Sequence, residues 1–104
     1  MASILPQTTL AARASGAGTT IDFVDARSRV SIVVTQSGLI TEGLVAMEAS
    51  HDGTNWVVIA VLDVGFPGNQ FYSATNGAFR FWRANVVRNV TGGTVTATLM
   101  EADR

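Results

Sequence analysis

The chain has 104 residues, a formal net charge of −1, 47% hydrophobic residues and 14% charged residues. Its apolar content is enough for the core of one small domain, while its charge content lies well below the ~25% of an ordinary soluble domain. This balance excludes a disordered charged tail, and it gives no basic footprint for nucleic acid or an anionic membrane.

All seven basic residues are arginine. Arginine suits planar and stacked contacts, whereas lysine suits exposed solubility. With no cysteine in the chain, disulfide frameworks, thiolate zinc sites and thiol catalysis are excluded. The first ten residues show no basic leader followed by a long apolar run. No apolar run approaches the ~18 residues of a membrane-spanning helix. The expectation is synthesis in the cytoplasm without export.

Residues 1–20 read as an N-terminal arm. Ala, Ser, Gly and Thr dominate residues 11–20, leaving little apolar surface to offset the entropy of ordering them. Ile4, Leu5 and Leu10 give the arm apolar anchors for a neighbouring chain, and Pro6 pre-extends it. A short helical turn around Leu10 to Ala14 is the local alternative. On this reading the arm is dispensable for folding of the remaining domain, residues 21–104.

From Ile21 onward the hydrophobic period is two. The runs Arg29–Thr35, Gly43–Ser50, Trp56–Val61, Phe71–Ala74, Phe79–Val87 and Thr94–Leu99 predict strands. Trp56–Val61 is β-branched enough to be expected buried on both faces. Ser37-Gly38, Asp52-Gly53, Pro67-Gly68-Asn69, Asn76-Gly77 and Gly92-Gly93 read as the turns between strands. The fold class is all-β: an antiparallel β-sandwich, jelly-roll or immunoglobulin-like, with about seven or eight strands and an extended N-terminal arm.

No catalytic constellation can be assembled from these residues. The single histidine, His51, adjoins the Asp52-Gly53 turn, and its neighbours Ser50 and Asp52 alternate across a strand. The carboxylates are scattered, with no calcium-loop spacing, and no glycine-rich loop precedes a helix. The reading is a protein with no catalytic site, metal site or cofactor. Asn89-Val90-Thr91 fits a glycosylation sequon, taken as chance in an unexported chain.

Trp56, Phe79 and Phe81 are the expected core aromatics. Trp82 falls on the opposite face of its strand. Together with Arg80 and Arg88 it forms the candidate interface cluster, since Trp and Arg are enriched among binding hot spots. Exposed aromatics at Phe66, Phe71 and Tyr72 would likewise mark contact with a partner.

The segment Glu48-Ala-Ser-His-Asp-Gly-Thr-Asn-Trp56 reads as strand, Asp-Gly turn and strand. Later come Phe79-Arg-Phe-Trp-Arg-Ala-Asn-Val86 and Thr91-Gly-Gly-Thr94. These segments resemble the hairpin and arginine-aromatic strand of discoidin-like and carbohydrate-module jelly rolls. They also resemble those of small tailed-phage virion proteins of β-sandwich type. The resemblance covers residues 44–102, and the short, cysteine-free, charge-poor chain fits the phage group better.

The phage resemblance implies a non-enzymatic head decoration, or cement, protein on the capsid surface. Its partners would be the major capsid protein and neighbouring copies of itself, in a homo-oligomer or symmetric lattice. Neither nucleic acid nor membrane is expected as a partner. The alternative is a carbohydrate- or receptor-binding module of a tail, neck or fibre, with Trp56, Trp82 or Tyr72 as its platform.

Overall fold

Alternating apolar residues and β-branched runs drive nearly the whole chain into strands. The structure, a computed structural model, describes residues 6–27, 29–66, 68–74 and 78–101. Seven strands follow in chain order: β1 (Gln7–Arg13), β2 (Gly16–Ala17), β3 (Ile21–Arg27), β4 (Val30–Ser50), β5 (Trp56–Asp63), β6 (Gln70–Ala74) and β7 (Phe79–Glu101). Every pairing is antiparallel, and no helix occurs among the described residues. The expected all-β antiparallel class is the observed one.

The fold is built on one long ribbon. β4 and β7 pair from Val30↔Glu101 to Ser50↔Phe81, with register shifts only between Gly38 and Val45. Four of the expected strands are therefore halves of two long ones. Shorter strands complete each half of the ribbon. β1 and β6 flank the half containing Val30 to Ser37, while β2, β3 and β5 flank the half containing Leu44 to Ser50. Inward side chains from both halves share one core, among them Leu10, Ile32, Val34, Val45, Met47, Trp82, Val95 and Leu99. The result is a sandwich-like arrangement made from a single hydrogen-bonded sheet.

The expected turns at Gly38 and Gly92-Gly93 are instead where the ribbon bends. Gly38 pairs with Gly93 across the two strands. A Cβ on Gly93 would lie 2.0 Å from the Ser37 carbonyl oxygen, and one on Gly92 would lie 2.0 Å from that of Leu39. Glycine is required here because two backbones touch, as well as for the positive φ of Gly38 and Gly92. The Asp52-Gly53 turn does join β4 to β5, whereas Asn76-Gly77 lies outside the described residues.

The N-terminal segment departs from the arm reading. β1 pairs with β7 from Gln7↔Leu99 to Arg13↔Val95, and Leu10 is fully buried in the core. Thr9 is buried too. Its hydroxyl donates to the Thr19 carbonyl at 2.7 Å and accepts from the Ala84 amide at 3.1 Å. Further backbone bonds run from Gly18 to Ala84, from Thr19 to Thr9 and from Val90 to Ala14. Residues 7–19 are thus knitted into their own domain by backbone pairing, which needs little side-chain apolarity. The helical turn around Leu10 is absent because these residues form β1. Ile4 and Leu5 lie outside the described residues.

β5 also departs from expectation. Among the described residues it pairs only with β4 and so forms a sheet edge, with Val57, Val58 and Val61 about half exposed.

Candidate interaction surface

The parity of β7 decides which aromatic is core. Trp82, Ala84 and Val86 point inward, and Trp82 is fully buried. Its indole Nε1–H donates to the Phe79 carbonyl at 2.9 Å, and Phe79 meets its ring edge-on at 5.9 Å. Trp82 is therefore a core residue, and with Leu10 it leaves the interface set. Phe81 and Trp56 are half-buried on the outer face, opposite to the expectation that they fill the core. The sequence carried a usable signal. Residues 82, 84 and 86 are all apolar, whereas 81, 83 and 85 include Arg83 and Asn85.

The outer face of the second half, built on β4, β5 and the start of β7, satisfies its polar groups internally. Glu48 is almost fully buried. It accepts from Arg83 Nε at 2.7 Å and from Asn85 Nδ2 at 3.1 Å. The Arg83 guanidinium also stacks over the Trp56 ring at 4.1 Å. Arg80 forms a two-pronged pair with Asp22, at 2.7 and 2.9 Å, and lies 5.0 Å over Phe81. That pairing, with the Val24 amide, holds the Asp22 carboxyl below its ordinary range. Arg88 faces Glu42 at 3.5 Å, with both side chains exposed. The structure thus separates the three expected hot-spot residues: one is core and two are surface arginines facing carboxylates.

His51 is exposed beside the turn, with its ring 4.8 Å from that of Phe79. Asp52 caps the turn, accepting from the Thr54 and Asn55 amides at 2.8 Å each. These bonds hold its carboxyl well below the usual range. Among the described residues, no three His, Cys, Asp or Glu side chains gather into a metal-binding group.

The outer face of the first half is different. Its paired rows are Thr8, Thr98, Val33 and Phe71; then Met100, Ser31 and Ser73; then Thr96 with Thr35 and Thr94 with Ser37. None of these residues is charged. The flank beside this face carries the most exposed aromatics: Phe71 is 73% exposed, Phe66 61% and Tyr72 40%. Val57, Val58 and Val61 of β5 are about half exposed on the edge of the second half, where Val58 pairs with Glu48 and Val61 with Ala46. Sequence reasoning had noted Phe66, Phe71 and Tyr72 and missed the β5 valines, because an edge strand and a doubly buried strand share one composition.

No protein-family model and no curated protein matches the chain. Among solved structures, it is similar to the crystal structure of SPBc2 prophage-derived protein YomS. The TM-score is 0.66 at 16% sequence identity, over 96% of this chain and 94% of that one. At this identity the likeness concerns the fold.

Proposed function

We propose that the chain is a non-enzymatic structural protein of a phage virion, docking onto a repeating protein lattice through its uncharged face and the adjoining β6 edge. The finer assignment is a head decoration protein that stabilises the capsid lattice, with the major capsid protein as partner. The observation that carries this reading is the exposure of Phe66, Phe71 and Tyr72 at the edge of the first half, beside strand rows free of charge. Apolar and aromatic surface with few charges is the composition of a protein–protein interface core. The prophage origin of a protein with the same fold supports the phage setting. On a lattice each contact can be weak, because many copies engage together.

The sugar-platform reading has less to work with. Trp82 is buried and Arg83 covers one face of the Trp56 ring, which leaves Tyr72 as the exposed candidate of the three.

The test is biochemical. Virions of the encoding phage are purified and assayed for the chain, and purified protein is added to shells depleted of it. Co-sedimentation with the shells, reduced at least tenfold by Phe71→Ser with Phe66→Ser, supports the proposal. Absence from virions, or binding unaffected by both substitutions, overturns it.

A further inference from the structure

Among the described residues the sheet has several free edges, and all but that of β6 carry a guard. Unpaired edges are templates for strand addition, and proteins block them with bulges, charges or very short strands. β1 has register shifts on both sides of Leu10, a positive φ at Ala12, and an Ala12 amide donated to the Thr96 hydroxyl. β2 has two residues. β3 shifts register after Asp22, has a positive φ at Val24, and presents the Asp22–Arg80 ion pair. β5 shifts register where Ala60 and Val58 oppose Met47 and Glu48, leaving Ile59 unmatched, and it ends on Asp63.

β6 has none of these guards. It pairs with β4 in unbroken register from Val30↔Ala74 to Val34↔Gln70. Its sequence, Gln70-Phe-Tyr-Ser-Ala74, contains no charge and no proline. Its two aromatics, Phe71 and Tyr72, are exposed.

We infer that the free edge of β6 pairs antiparallel with β6 of a second copy of this chain, about a two-fold axis at Tyr72. The occupant follows from charge. In a two-fold contact residue i meets j and j meets i, so charges of one sign gathered near the axis would face each other. β6 and its outward neighbours Ser31 and Val33 carry no charge to oppose. Centring on Tyr72, the middle residue, sets Phe71 against Ser73 of the copy. The pairing would join two uncharged faces into one surface twice as wide. Its geometry does not depend on the virion reading.

Size sets the strength. The exposed parts of Phe71 and Tyr72 offer roughly 200 Å² per copy, and the backbone edge adds a similar amount. The total lies below the ~1,200 Å² of stable specific interfaces, so the isolated pair is weak, with Kd on the order of 0.1–1 mM.

Sedimentation of the intact chain at up to about 1 mM is expected to show a monomer–dimer equilibrium. Ser73→Lys should shift it at least tenfold towards monomer, whereas Val58→Lys on the β5 edge leaves it unchanged. Because the chain has no cysteine, Tyr72→Cys gives an independent readout. Directly opposed strand residues lie within disulfide reach, so Y72C should crosslink on mild oxidation at least tenfold faster than V58C. A strictly monomeric chain, a dimer indifferent to Ser73→Lys, or V58C crosslinking as fast as Y72C would overturn the inference. Should Y72C fail to fold, the Ser73→Lys comparison decides alone.

Discussion

β4 and β7 each run through both halves of the sandwich, yet the two halves finish their outer faces in different ways. The second half buries a carboxylate, Glu48, and supplies it with Arg83 and Asn85. It then lays Trp56 against the arginine and caps the adjoining hairpin with Asp52. Its polar groups are satisfied within the chain. The first half presents Thr, Ser and Val rows and leaves Phe71 almost bare. Charged groups favour water and are costly to desolvate unless paired, so the uncharged half is the cheaper one to cover with another protein. On one pair of strands, one face joins its charged groups into ion pairs within the chain, while the other is uncharged and is the one the proposed docking uses.

The largest expected effect concerns the edge of the first half opposite β6. β1 closes that edge, and Leu10 is fully buried. Leu10→Ala should destabilise the monomer by about 2–5 kcal/mol, as large-to-small changes in packed cores do. Phe71→Ala, on the other edge of the same half, should stay within about 0.5 kcal/mol. Denaturant unfolding of both variants measures the contrast. Deleting residues 2–20 should abolish cooperative unfolding, because β7 would lose β1 and the Thr9 bonds together. A deletion variant that melts like the parent would return this segment to the status of a separable arm.

A smaller effect tests whether the second half is self-sufficient. Arg83→Ala strands the buried Glu48 carboxylate with only Asn85 and uncovers Trp56. Breaking a fully buried ion pair costs roughly 3–5 kcal/mol. Arg83 keeps 22% of its side chain in solvent, so water can partly replace it and the expected loss is about 1–3 kcal/mol. Adding Glu48→Gln should recover part of that loss, since an amide does not leave an unpaired charge. If Arg83→Ala is as neutral as Phe71→Ala, the two faces do not differ in the way described.

How much of this was legible in the sequence follows from what each signal encodes. Period-two runs and β-branched composition report strand and face, and they led to the all-β class. Asp52-Gly53 marked a real hairpin because Asp caps and Gly turns within a few residues of each other. Gly38 and Gly92-Gly93 carried the same positive-φ signal but serve a contact between residues about 55 apart in the chain, which local patterning does not contain. Leu10 was assigned outward because its neighbours are small, yet its strand is held by backbone hydrogen bonds that any residue type supplies. The surface aromatics of the β5–β6 loop region were noted from sequence. Their grouping beside an uncharged face required the pairing of β6 with β4.

The smallest effect is a pH dependence at the Asp52 turn of the second half. Asp52 accepts from the Thr54 and Asn55 amides, the Asn55 side chain and the Ser50 hydroxyl, and these bonds lower its carboxyl pKa well below its unfolded value. A carboxyl depressed in the folded state adds stability that is fully present above its unfolded pKa, near 3.9, and lost as pH falls through the folded value. Asp52→Ala should therefore lower the melting temperature modestly and by a constant amount from neutral pH down to about 4, with the gap closing only in strongly acidic solution. The first-half rows contain no group that titrates in this range, so Thr35→Ala or Thr96→Ala should give a pH-independent difference throughout. Thermal melts of the three variants across that range provide the check. A gap for Asp52→Ala that is already absent at neutral pH would mean that the turn is held by Gly53 and the strands alone.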